Sequence, residues 1–279
     1  MNGPTDSVGP TRAYVLGHSD RELDRLGAQA RLIEPITRQF FRDAGIAPGM
    51  RILDVGSGAG DVAFLAADLV GNEGEVVGTD RAPAAIAGAN ARAQARRLGN
   101  VHFHEGDPAE MAFDRPFDAV VGRYVLLFQA DPAATVRRLA RHLQPGGVIV
   151  FHEPDLSFVR SFPPAPLYDR CCRWVAETFR LAGTEANMAE RLYAAFVHAQ
   201  LPAPTMRMHT VIGGGAGIGD WLNAVADLAG SVLQAMEQLG VATAAEVDVA
   251  TLAERMGREI ETNGSLILGR SEIGAWSRP

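Results

Sequence analysis

The 279-residue sequence contains no lysine; all 26 of its basic side chains are arginine. Without lysine the chain cannot form the Schiff base of a pyridoxal-phosphate enzyme, nor supply the lysine of a Walker A nucleotide loop. Cysteine is almost as scarce. Cys171 and Cys172 are adjacent, so they offer neither zinc-ligand spacing nor the triplet that anchors an iron–sulfur cluster, and two thiols in or near a helical core are expected. No apolar run reaches membrane-spanning length, and Met1–Arg12 lacks the basic-then-apolar order of a secretion signal, so the expected location is cytoplasmic, with no membrane partner. Positive charge is also in deficit. A net charge of -7 and a pI near 5.5 argue against a broad nucleic-acid surface. The 47% hydrophobic content fits an ordinary globular chain, long enough for one large domain or a domain with a cap.

What the chain does have is alternation. After a Gly-, Pro- and Ser-containing start, Ser19-Asp20-Arg21-Glu22 reads as a capping box, and Leu23, Leu26, Ala30 and Ile33 follow at helical spacing. Pro35 should kink or split this helix, leaving a second segment with Phe40 and Phe41. Strands are then expected at Arg51–Val55, Glu75–Thr79, Val101–Glu105, Phe117–Gly122 and Val148–His152, with helices near Gly60–Val70, Pro83–Leu98 and Pro132–Leu143. Such alternation gives a parallel sheet with helices on both faces. Past His152 the pattern turns helical, at Tyr168–Leu181, Ala186–Ala199, Trp221–Leu239 and Ala245–Thr262. Extended segments at Thr205–Ile212 and Ser265–Ser277 interrupt it, and the glycine-rich stretch 213–219 reads as a hinge.

Residues 52–60, Ile-Leu-Asp-Val-Gly-Ser-Gly-Ala-Gly, carry the most information. An apolar strand ends in an acid and enters a loop where a bulky cofactor can lie on bare backbone. The dinucleotide fingerprint requires G-x-G-x-x-G; here the third glycine comes one residue early. Asp80 ends the second strand, where a carboxylate can accept hydrogen bonds from both ribose hydroxyls. Nicotinamide enzymes use the same device, so Asp80 alone does not choose a cofactor. His102 and His104 share one strand face, but two ligands without a third are poor support for a metal, and none is expected.

The run Asp54-x-Gly56-x-Gly58-x-Gly60 resembles motif I of the class I S-adenosylmethionine-dependent methyltransferases. Asp80, Gly106-Asp107, Phe117-Asp118-Ala119-Val120 and Leu143-Gln144-Pro145-Gly146-Gly147 follow in that family's order. The resemblance covers about Arg51 to Glu153. It is strongest to the small-molecule branch of quinone-biosynthesis C-methyltransferases and natural-product O-methyltransferases. It implies a Rossmann-like, seven-stranded, mostly parallel sheet with helices on both faces and a helical lid. An N-terminal helical cap (1–48), a cofactor-binding core (49–155) and lid helices with the last two strands (156–279) are then expected. A helical insertion between those last two strands departs from the family pattern.

S-adenosylmethionine, leaving as S-adenosylhomocysteine, is the implied cofactor. Asp54 would lie near its amino group, Gly56 and Gly58 beneath its methionine part, and Asp80 at the ribose. Arg81, Asp107 and Pro108 would flank the adenine. The Arg123 carbonyl would face the amino group, while its side chain is free to hold an anionic substrate group. Tyr14 would reach the site if the N-terminal segment folds over the cofactor. His152, with Glu153 to orient it, is the candidate base; the competing role is a strand-end histidine bonded to backbone. The implied partner is a small, partly apolar methyl acceptor, with oxygen favoured over carbon or nitrogen, and a homodimer is possible. Competing readings are a nicotinamide-dependent oxidoreductase, a cofactor-binding protein without methyl transfer, and an RNA or protein methyltransferase.

Overall fold

The computed structural model describes residues 20–279, with side chains from residue 32 onward except Ala216. Tyr14 and Ser19 lie outside the described residues. In chain order the elements are α1 (Asp20–Asp43), β1 (Arg51–Val55), α2 (Asp61–Val70), β2 (Glu75–Asp80), α3 (Pro83–Ala95), β3 (Val101–Glu105), β4 (Phe117–Arg123), α4 (Pro132–Ala140) and β5 (Leu143–Asp155). After these come β6 (Arg160–Phe162), α5 (Pro166–Leu181), α6 (Met188–His198), β7 (Thr205–Gly214), α7 (Gly219–Ser231), α8 (Leu233–Gln238), α9 (Ala244–Val247), α10 (Val249–Asn263) and β8 (Leu266–Ser277).

Strands β1 to β5 are parallel in the order β3-β2-β1-β4-β5, and β8 runs antiparallel between β5 and β7. The short β6 pairs with the start of β8, giving eight strands rather than the expected seven. The chain winds outward from β1 to β3 and then returns to β4. The strand order therefore reverses at the β1/β4 boundary, where open α/β sheets bind ligands beyond their carboxyl ends.

The central strands are buried on both faces, which is why they read as apolar runs rather than as alternation. One face packs Ile52, Val76, Val121 and Val150 under Phe41, Phe64 and Ala89 of α1, α2 and α3. The other packs Leu53, Val120, Ile149 and Phe151 under Val136 and Leu139 of α4 and Leu192 and Phe196 of α6. Thus α6, expected in the lid, belongs to the sheet. A third cluster, with Tyr168, Val175, Trp221, Val225, Leu252 and Met256, joins α5, α7 and α10 into a helical layer of their own.

Helix α1 is not split at Pro35. Proline removes one backbone donor, but Ile33 on one side of it and Phe40 and Phe41 on the other are fully buried, pinning both halves. Phe40 lies over β8 at Gly274, where an added Cβ would sit 2.5 Å from its ring. At α4 the expected cap is present: the Asp131 Oδ1 accepts from the Ala134 N–H at 2.9 Å, with Pro132 at the first helical position. The glycine-rich stretch is no separate joint; it ends β7 and turns through a 3-10 segment into α7.

Candidate cofactor and acceptor site

The glycine loop leaves the carboxyl end of β1 with Gly56, Gly58 and Gly60 all at positive φ (64°, 52° and 90°). They serve different ends. A Cβ on Gly60 would lie 2.8 Å from the Phe103 ring, so this glycine lets α2 and β3 pack. A Cβ on Gly58 would meet nothing within 4 Å, so it lies against open space at the sheet edge. The Asp80 carboxylate ties the loop to β2, accepting from the Gly58 N–H and the Ala82 N–H, each at 2.9 Å.

Behind the loop, Asp54 is 1% exposed, and neither carboxylate oxygen has a hydrogen-bond partner among the described residues. Burial raises its pKa well above the ordinary value; the Arg123 guanidinium and the Ala63 N–H at the start of α2 oppose that shift, and Asp80 adds to it. The Ser57 hydroxyl is likewise buried and unpartnered. The Asp107 Oδ1 accepts from the Ala109 N–H at 2.9 Å, and its Oδ2 is paired with Arg81. The Pro108 carbonyl is bonded to the His142 ring at 2.7 Å. His102 and His104 are both exposed on β3. Among the described residues no group of three His, Cys, Asp or Glu is placed to hold a metal.

His152 is fully buried. Its Nδ1 lies 3.0 Å from Thr37 Oγ1 on α1, and its Nε2 lies 2.9 Å from Glu272 Oε2 on β8. Glu272 is held down to about 2, overcoming its burial through the Arg270 charge and the His152 hydrogen bond. An ionised carboxylate only accepts, so Nε2 carries the hydrogen and Nδ1 accepts from the Thr37 hydroxyl. Burial lowers the imidazole pKa, with Glu272 opposing, so the ring is neutral. Both ring nitrogens are therefore filled, and in this arrangement no substrate proton reaches His152.

Nor does Glu153 orient that ring, contrary to expectation, because successive strand residues face opposite ways. Its Oε1 accepts from the Val125 and Leu126 N–H groups at 2.9 and 2.7 Å, and burial pushes it up to about 8. It caps the turn after β4. That turn starts at Tyr124, a non-glycine residue at φ 59°, whose hydroxyl donates to Glu272 Oε2 at 2.8 Å and accepts from Arg270 Nη2 at 2.9 Å. Arg123 completes the network by donating to Thr37 Oγ1 at 3.2 Å.

Residues 46–199, just over half of the chain, match the model of the family described as a methyltransferase domain. The chain belongs to this family. It is 36% identical over 137 residues to the aklanonic acid methyltransferase of Streptomyces sp., covering 49% of this chain and 61% of that one. It is 37% identical over 134 residues to the 2-phytyl-1,4-naphtoquinone methyltransferase of Synechococcus elongatus, covering 46% and 55%. The chain thus spans about three fifths or less of the length of these curated relatives. Relatives named as O- and as C-methyltransferases both occur. Among solved structures, geranyl diphosphate C-methyltransferase of Streptomyces coelicolor superposes with a TM-score of 0.54 at 16% identity, covering 98% of this chain and 90% of that one, a likeness of fold.

The residues of this methyltransferase domain fit S-adenosylmethionine. A buried carboxylate without a partner suits an ammonium group, and a positive-φ glycine facing open space suits close approach to backbone. Sequence reading found Asp54, Gly56, Gly58, Asp80 and Arg123 at one edge of the sheet, but it missed Thr37, Tyr124, Arg270 and Glu272. A signal for the last two was present. Arg270 and Glu272 are charges two residues apart, hence on one face, in a terminal strand otherwise made of apolar and small residues.

Proposed function

We propose that this protein transfers a methyl group from S-adenosylmethionine to a small, partly apolar molecule. The observation that carries this reading is Asp54: a carboxylate buried without a hydrogen-bond partner behind a loop whose Gly58 faces open space. Burying an unpaired carboxylate is costly, and an ammonium ligand returns that cost as affinity. The cofactor, when bound, supplies the electrophilic methyl and leaves as S-adenosylhomocysteine. The chain's task is then to align the acceptor and exclude water.

In this reading Asp54 and the Arg123 carbonyl hold the ammonium, and Gly56 and Gly58 offer bare backbone. Asp80 uses its remaining lone pairs for the ribose. Arg81, Asp107 and Pro108 border the adenine; Tyr14, assigned to the cofactor by resemblance, lies outside the described residues. His152 is assigned a positioning role in place of the expected base: from β5 it ties Glu272 of β8 to Thr37 of α1. Oxygen is the favoured accepting atom and carbon the alternative, and product analysis with labelled methyl distinguishes them. The acceptor would come from the class of small molecules for which the relatives are named, acting in solution as a monomer or homodimer in the cytoplasm.

The direct test is calorimetric. S-adenosylhomocysteine is expected to bind and raise the melting temperature, with NADH inert. Stabilisation by NADH alone would favour the oxidoreductase reading. Tight binding without transfer to any acceptor panel would favour a non-catalytic binder.

A further inference from the structure

Between the lid and the sheet lies a pocket enclosing about 30 Å³, and its open mouth brings the space between its walls to about 440 Å³. Its walls are apolar, among them Leu156, Val159, Val175, Val225 and Leu228, and its single charged residue is Arg270. That guanidinium is clamped. Nε donates to Glu272 Oε1 at 2.7 Å and Nη2 to the Tyr124 hydroxyl at 2.9 Å. The Tyr124 and Trp221 rings flank it, with centroids 5.3 and 5.7 Å from its central carbon.

Nη1 donates to nothing among the described residues, although the side chain is only 11% exposed. Nη1 itself is not sealed from solvent, so it is the nitrogen of this guanidinium left open to a ligand. Here it sits on the wall of an apolar pocket, held in a fixed orientation by two other bonds. Planar, pre-oriented arginine donors are suited to anionic oxygens.

The network that clamps Arg270 reaches toward the cofactor loop. Tyr124, the residue that clamps Arg270, is followed by Val125, whose Cγ2 lies 3.0 Å from where a Cβ on Gly56 would be. We propose that Arg270 is the specificity-determining residue of the acceptor pocket, and that the acceptor is an apolar molecule bearing one anionic oxygen, which Arg270 Nη1 binds while the apolar walls take the rest. Arg123 cannot serve this pocket in the same way, because its side chain is turned to Thr37 on the α1 side of the network. The inference rests on the methyltransferase reading for the word acceptor, but the ligand preference itself does not depend on methyl transfer.

The test uses the full chain and three probes of one shape: 1-naphthoate, 1-naphthol above its pKa, and the neutral 1-naphthalenemethanol. Titration calorimetry is expected to show at least one anion binding tenfold or more tightly than the neutral probe. A preference for naphthoate identifies a carboxylate; a preference for naphtholate identifies a phenolate or enolate. The paired substitution Arg270→Met/Glu272→Gln removes both charges together and is expected to bring anion and neutral probe within twofold. Arg270→Lys keeps the charge without the fork, and is expected to lose most of the preference even if the paired variant folds poorly. Ala224→Trp, on the pocket wall, is expected to abolish binding of all three. Equal binding of the neutral probe by the native protein, or an anion preference that survives either substitution of Arg270, overturns the proposal. S-adenosylhomocysteine binding measured on the same samples separates the two readings. Its loss with probe preference intact sinks the methyltransferase reading and leaves the anion site, and the reverse sinks only the anion site.

Discussion

Asp54 and Glu272 are both carboxylates buried at the ligand-binding end of the sheet, yet they are held in opposite ways. Neither Asp54 oxygen makes a hydrogen bond among the described residues, and burial raises its pKa against the pull of Arg123 and the Ala63 N–H. Glu272 accepts from His152, Tyr124 and Arg270 and is held down to about 2. The first is a site's unmet demand; the second is a satisfied joint. The proposed cofactor side is built from backbone and one buried carboxylate that makes no hydrogen bond among the described residues. The proposed acceptor side is built from a side-chain network that fixes Arg270. The contrast teaches that burial alone does not mark a ligand contact; what marks it is burial without a partner.

The sharpest way to break this comparison is to remove the joint. Glu272→Ala leaves Arg270 buried without its carboxylate, and leaves His152 Nε2 and the Tyr124 hydroxyl without their acceptor. Breaking a buried pair from one side costs about 3–5 kcal/mol, so urea denaturation should show a loss of that size. The sign with pH follows from linkage. The depressed pKa of Glu272 contributes stability that is fully present above its unfolded value near 4.5 and is lost as pH falls through about 2. The native protein should therefore lose stability over that window, and Glu272→Gln should lack this component of the loss. An unchanged urea midpoint for Glu272→Ala would mean that the network is not a joint at all.

Asp54→Asn tests the other half and should move two quantities in opposite directions. S-adenosylhomocysteine affinity is expected to fall tenfold or more, equivalent to about 1.4 kcal/mol or above, because the ammonium loses its counter-charge. The cofactor-free protein is expected to gain stability, because an unpaired buried carboxylate is gone. A raised carboxyl pKa contributes stability at low pH that is lost as pH rises through the folded value. The gain over native should thus be larger at pH 8 than at pH 5 in thermal melts. Loss of stability together with loss of affinity would show that Asp54 is partnered within the protein. Asp80→Ala comes next: about tenfold, or ~1.4 kcal/mol, in cofactor affinity by calorimetry. Part of that loss would come from releasing the Gly58 and Ala82 N–H groups, and an unchanged affinity removes Asp80 from the site.

The two halves also differed in how far the sequence could be read. The cofactor half was legible because its demands are local. Gly56, Gly58 and Asp80 sit at strand ends, and one chain segment specifies both the turn and the residue it presents. The proposed acceptor half was not, because Thr37, Tyr124, His152, Arg270 and Glu272 come from α1, the end of β4, β5 and β8, and meet only when the sheet forms. His152 shows the cost of local reasoning. Its sequence neighbour Glu153 suggested a carboxylate–imidazole pair, but the pleat sends the two to opposite faces, and the true partner lies 120 residues away. Pro35 misled in a similar way, since local propensity argued for a break while burial of Phe40 and Phe41 holds the helix together. The eighth strand and the placement of α6 on the sheet likewise depend on long-range packing that spacing alone does not encode.

The smallest effect is expected at Asp107, and its size decides how the cofactor side divides its binding energy. Its carboxylate is already engaged by Arg81 and by the Ala109 N–H, and the Arg81 side chain is half exposed. An exposed pair of this kind is screened by water and contributes about 0–1 kcal/mol. Asp107→Asn keeps an oxygen for the Ala109 N–H while surrendering the charge and the oxygen that accepts from Arg81. Cofactor affinity should therefore fall by about two- to threefold, roughly 0.4–0.7 kcal/mol, and less at high salt. A tenfold loss, equal to that at Asp54, would mean that the adenine end carries as much of the affinity as the buried ammonium end, and the contrast between a demanding interior and a permissive rim would have to be redrawn.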